Sequence, residues 1–201
     1  MKKFILGVLI FVIAFLGGFF ALHNDNLASL LGIETGNVNN TLADIMATNS
    51  GSAYAVKTVT SEDLTTLLYA GISAPGVQSK QSVHISIITE YETVSSLVSL
   101  AADGCVLLVL STDAEDAYSE MRCGQVIENI FVTATSMGMQ ANLFTSPAQW
   151  INSHLHESVG MPAGHDALAV MLIGYPAEGS TNNRPNDINI DVFNNMVTYV
   201  E

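Results

Sequence analysis

His154, His156, Glu157 and His165 lie close together in the chain. Imidazole and carboxylate groups are ordinary zinc ligands. His154 and His156 are two apart in a stretch with helical character, so they point to different sides; His154 and Glu157 are better placed to share a face. The cluster reads either as a metal site or, more plainly, as surface and capping histidines. Cys105 and Cys123 are the only thiols. They would form a disulfide or a redox pair, or stay as two structural thiols, and nothing nearby in sequence favours a thiolate. No CxxC or Cys/His spacing points to zinc. Met137, Met139 and Gln140 would line a flat ring pocket or pack beside a core helix. Trp150 would close a site, or anchor into the core or a dimer interface. A nucleophile elbow, a P-loop and a dinucleotide fingerprint are all missing, so hydrolase and kinase chemistry has no support.

The elements that would position these groups follow a 22-residue leader. Phe4 to Leu22 is nearly unbroken apolar sequence behind Lys2 and Lys3. That is long enough to cross a bilayer, which takes about 20 apolar residues. A cleaved signal peptide is the rival reading, but Ala21-Leu22-His23 matches a small-x-small site poorly. With the lysines held in the cytoplasm, the following domain lies outside. Residues 1–22 are thus read as an N-terminal transmembrane anchor or signal, 23–40 as a polar tether and 41–201 as one domain. The expected location is the membrane, through a single-pass anchor. Six Lys and Arg stand against nineteen Asp and Glu, a net charge of −13. So acidic a chain argues against nucleic acid and anionic lipid headgroups as partners.

Within the domain, a helix is expected from about Thr41, with Leu42, Ile45 and Met46 on one face. Ser61-Glu62-Asp63 would cap the next, carrying Leu64, Leu67, Leu68 and Gly71. Val83 to Ile87 alternates as a half-buried strand does, and Val94 to Ala101 suggests a short helix. Cys105 to Leu110 and Ala167 to Ile173 are short, continuously apolar runs, hence strands buried on both faces. Ser111 or Thr112 would cap a long helix with Asp113, Glu115 and Asp116 at its positive end. That helix carries Ile127, Ile130, Phe131 and Ala134 on its core stripe and stops at Gly138. Another helix is expected from Pro147 to Val159, and a strand or extended arm from Asp187 to Val200. Buried strands between amphipathic helices mean an α+β fold, a mixed sheet flanked by helices on both faces.

Several stretches, taken in order, resemble the flavin-dependent nitroreductases. Gly124 to Met139 looks like that family's long central helix and its glycine turn; Ser158-Val159-Gly160-Met161-Pro162 looks like its leucine-glycine-x-proline; Met171 to Glu178 looks like its strand ending in Gly-Tyr-Pro. Leu67 to Gly71, followed by Ala74-Pro75 and Gln81, resembles its Ala-Pro-Ser-x-x-Asn-x-Gln-Pro segment. The resemblance covers residues 41–201 and implies an intertwined homodimer with FMN in each of two interface clefts.

The resemblance also carries departures. The family grips the FMN phosphate and ribityl chain with an Arg-Arg-Ser-x-Arg box; here the positions read Thr48, Asn49, Ser50, Gly51 and Ser52. A phosphate dianion wants charge-assisted, bidentate partners, which neutral hydroxyls do not supply. Gly76 replaces a serine, and Ser79 the asparagine that faces the flavin ring, while Gln81 is kept. Lys80 and Arg184 stand where the family has basic residues, the latter directed at the phosphate. Thr145 and Ser146 fall near the loop whose backbone meets flavin N5. The cofactor-binding set implied is Ser50, Ser52, Ser79, Lys80, Gln81, Thr145, Ser146 and Arg184. The implied activity is electron transfer from NAD(P)H through FMN to a small acceptor such as a nitroaromatic or quinone. The alternative is a non-catalytic descendant of the fold that serves as a membrane-surface scaffold.

Overall fold

The computed structural model describes residues 45, 48, 50–76, 82–181 and 198. The chain divides into two units, Met1–Ala43 and Asp44–Glu201, and every described residue belongs to the second. The apolar leader, the tether, most of the helix expected from Thr41 and all but Thr198 of the expected C-terminal arm lie outside the described residues; Ile45 is helical. Among the described residues no helix is long and apolar enough to cross a membrane.

Among the described residues, eight elements can be bounded, in chain order: α1 (Ser61–Ile72), β1 (His84–Ile88), α2 (Tyr91–Leu97), β2 (Val106–Asp113), α3 (Ser119–Ser136), β3 (Gln140–Phe144), α4 (Ser146–His154) and β4 (His165–Gly174). The strands form one sheet in the order β1-β2-β4-β3. All three pairings are antiparallel, so within the described residues the sheet is antiparallel rather than mixed. Each central strand is buried on both faces, because alternate side chains enter different cores. Val106, Leu108 and Leu110 of β2 join Leu67 of α1 and Cys123, Val126 and Ile130 of α3 on one face. Leu107 and Val109 meet Val94 of α2 and Ala148 and Ile151 of α4 on the other. A fully buried Leu or Ile contributes about 1.5–3 kcal/mol, so these two layers fix the sheet between its helices.

Cys123 sits in the first core and Cys105 in the second. The sheet lies between them, and both are free thiols. Burial raises the pKa of Cys105 and pushes that of Cys123 up to about 11, which removes the redox-pair reading.

Several boundaries differ from expectation. The N-cap of α1 is Thr60, not Ser61: its side chain accepts from Asp63 N while Asp63 accepts from Thr60 N, a reciprocal capping box. Ser111 and Thr112 do not cap the long helix. β2 continues through them past a register shift at Leu110/Ser111, and α3 begins only at Ser119. Asp113 and Asp116 instead accept the backbone N–H groups of Glu115 and Tyr118, building the turns between strand and helix. Helix α2 starts at Tyr91, three residues early, and α4 stops at His154. Strand β3 had no counterpart in the sequence reading: it follows Gly138, whose φ of 71° suits the reversal after α3.

Candidate functional site

The degenerate box runs along the edge of the sheet where β3 begins. Ser50 Oγ donates to Ala141 O at 3.3 Å. Gly51 passes so close to Gln140 that a Cβ there would collide with its side-chain amide and force it to move. Ser52 N donates to Thr181 O at 3.1 Å, and Thr181 N returns a bond to Ser52 Oγ at 3.0 Å. Gln140, fully buried, donates from Nε2 to Ala53 O at 2.7 Å and accepts from Ser180 Oγ at 3.2 Å. Tyr54 bridges to Pro176, and its hydroxyl reaches Asn142 Oδ1 at 2.7 Å and Leu172 O at 3.0 Å. Burial drives the Tyr54 pKa far upward, so the phenol stays a neutral donor. The segment is therefore strapped to β3, to the end of β4 and to the chain leading to Thr181.

Thr145 and Ser146, both exposed, close the other end of β3. Ala141 to Thr145 spans about 14 Å, at the antiparallel rise of roughly 3.4 Å per residue. Thr145 is the N-cap of α4 but makes no side-chain cap bond, so the helix does not use its hydroxyl. Ser50, Ser52, Thr145 and Ser146 thus share one edge of the molecule. Ser79, Lys80, Gln81 and Arg184 lie outside the described residues. Their described neighbours in sequence are Ser82, next to Gln81, and Thr181, three residues before Arg184.

Ser82 belongs to a different place. It donates to Asp116 Oδ2 at 2.7 Å and accepts from Arg122 at 2.8 Å, while Arg122 pairs with Asp116 at 2.6 Å. These groups edge a cavity of about 370 Å³ whose other walls include Asp113, Glu115 and Tyr118. The register puts this corner where β1 starts and β2 ends, whereas the box sits where β2 starts and β4 ends. The length of β2, roughly 24 Å at that same rise, separates the two.

The other candidates resolve into structural roles. His154 Nδ1 faces Trp150 O at 3.1 Å and His156 Nε2 faces His165 O at 2.9 Å, so backbone carbonyls hold both rings. No cluster of metal-ligating side chains able to hold a metal occurs among the described residues. Trp150 does not enter the core: it is 55% exposed and stacks on His154 with 3.8 Å between ring centres. Met139 is core, and Gln140 is the buried polar strut of the box. Tyr54, Gln140, Asn142, Ser180 and Thr181 were not singled out from sequence as partners of the box. Their bonds cross 40 to 129 positions, a separation that no local pattern reports.

No protein-family model matches the sequence, and no curated protein matches it either. Solved structures do. A nitroreductase with bound FMN from Bacteroides fragilis shares 21% identity at a TM-score of 0.68, covering 80% of this chain and 98% of that one. A nitroreductase with bound FMN from Desulfitobacterium hafniense gives 18% and 0.65, with 81% and 98% covered. The NADPH:FMN oxidoreductase of Vibrio harveyi, complexed with NAD+, gives 20% and 0.59, with 78% and 82% covered. At these identities the likeness establishes the fold, which is nitroreductase-like. The donor set tests whether FMN would fit the box: the described hydroxyls are neutral and mostly bonded to the protein itself, so they do not suit a phosphate dianion.

Proposed function

We propose that the chain is a flavin-dependent oxidoreductase of the nitroreductase type, which takes electrons from NAD(P)H and passes them to a small acceptor such as a nitroaromatic or a quinone. One observation carries this reading. The Ser50–Ser52 segment and the Thr145–Ser146 turn stand at the two ends of β3, the last strand in the order of the described sheet, a separation that suits a ribityl tail and an isoalloxazine ring. They do so on a fold shared with FMN-bound nitroreductases. A bound flavin supplies the redox chemistry itself. The chain's own part is to orient it: Ser50 and Ser52 toward the tail, Thr145 and Ser146 toward the ring.

Ser79, Lys80, Gln81 and Arg184 complete the proposed set. The working unit of this proposal is a homodimer, as the resemblance implies. An N-terminal membrane anchor with the domain outside belongs to the same proposal. The test is direct: add FMN to the purified full chain, remove free flavin and record the visible spectrum. A retained flavin spectrum with quenched fluorescence supports the reading. A folded, colourless protein that leaves FMN free contradicts it and favours the scaffold alternative, which rests on the lost arginines.

A further inference from the structure

Gln140 opens β3, where its backbone pairs with Gly174 at the end of β4. Its side chain is 0% exposed, so it touches no ligand directly. The sheet fixes its backbone, and both ends of its amide reach other parts of the chain. Nε2 donates to Ala53 O at 2.7 Å, and Oε1 accepts from Ser180 Oγ at 3.2 Å. Ser180 Oγ in turn accepts from Ala53 N at 3.3 Å. Gln140, Ala53 and Ser180 thereby close a ring of bonds across three separate segments.

The Ser50–Ser52 segment is held against that ring. Gly51 leaves out the Cβ that would meet the Gln140 amide, and this amide is both buried and bonded at its two ends. Ser50 Oγ donates to Ala141 O, one residue along β3 from Gln140, and Ser52 N donates to Thr181 O, one residue beyond Ser180. The segment's register against β3 and against residues 180–181 is thus set around one side chain. An amide suits the task because it donates at one end and accepts at the other, as neither methionine nor an ionised glutamate can. A binding segment tied in this way to a sheet keeps the close placement that a site needs.

We propose that Gln140 is a positioning residue of the flavin site, which sets where Ser50 and Ser52 meet the ribityl tail. The inference rests on the flavin reading above and goes beyond it by assigning the tail's placement to a buried side chain on β3.

The experiment titrates the full chain, Gln140→Met and Gly51→Ala with FMN and, separately, with lumiflavin, whose tail is a single methyl group. Circular dichroism and urea midpoints show which chains are folded. Gln140→Met keeps the side chain's length and removes both bonds; Gly51→Ala keeps the amide and pushes it from its place. Both variants should weaken FMN about fivefold or more, the scale of one or two lost hydrogen bonds. Lumiflavin should stay within about twofold of wild type. Equal losses for the two ligands, or FMN held as tightly as by wild type, would overturn the proposal and leave the flavin reading intact. Where Gln140→Met does not fold, Gly51→Ala decides by the same comparison. Where wild type binds FMN and not lumiflavin, a loss of FMN at an unchanged urea midpoint supports the proposal, and a loss only in step with a falling midpoint overturns it. If a folded wild-type chain binds neither ligand, the flavin reading falls and the proposal falls with it.

Discussion

Thr60 and Asp63 satisfy each other's backbone N–H groups at 3.1 Å in both directions. The same bonds hold the Asp63 carboxyl below its usual range, first through Thr60. With the folded pKa depressed, that contribution is present above the unfolded pKa and is lost as pH falls through the folded one. Thr60→Ala should lower stability by about 1 kcal/mol, read as a shift in the urea midpoint near neutral pH, and should flatten the acid side of the stability profile. The buried thiols act with the opposite sign. Cys123 ionises only near 11 in the fold, against about 8.5 in an unfolded chain. Its contribution is full below the unfolded pKa and is lost as pH rises toward the folded one. Urea midpoints taken from neutral to alkaline pH should fall across that window, and less steeply in Cys123→Ala. The sequence named the right types here and missed positions. Ser61 and Thr60 are both good caps, and only the reach to Asp63 decides between them. The partners of Ser50 and Ser52 were invisible, because Gln140 and Thr181 arrive from distant parts of the chain.

Arg122 shows how an element boundary can be misread. Three carboxylates after an apolar run look like the positive end of a helix, yet Asp116 is spent on Ser82, Arg122 and the turn to Tyr118. The strand β2 therefore runs to Asp113 before α3 begins. Removing one partner of a buried pair leaves a charge without its counterion, which costs about 3–5 kcal/mol. Arg122→Ala should lose stability on that scale by urea unfolding, while Arg122→Met paired with Asp116→Leu should recover much of it. The buried strands and the core stripe of α3 were legible, since continuous apolar runs and helical spacing report burial directly. β3 was not: Gln140 and Asn142 are polar in a strand where an apolar alternation would be expected, and both serve the box rather than a core.

At the scale of the whole molecule, Ser82 and the Ser50–Ser52 segment lie at opposite ends of one sheet. If the proposed working unit is a homodimer, sedimentation of the full chain should give a dimer. A monomer that still holds flavin would contradict that arrangement. The resemblance read from ordered motifs carried the architecture, as the solved structures show at 18–21% identity. It could not carry the chemistry of the tail, because residues 48–52 hold no arginine. The central claim is flavin-dependent electron transfer, and one measurement addresses it most directly. The full chain, loaded with flavin and kept free of oxygen, is mixed with NADH or NADPH while the long-wavelength flavin band is followed. The account predicts bleaching of that band and its return on adding a quinone or nitroaromatic. A bound flavin that neither nicotinamide bleaches would contradict it.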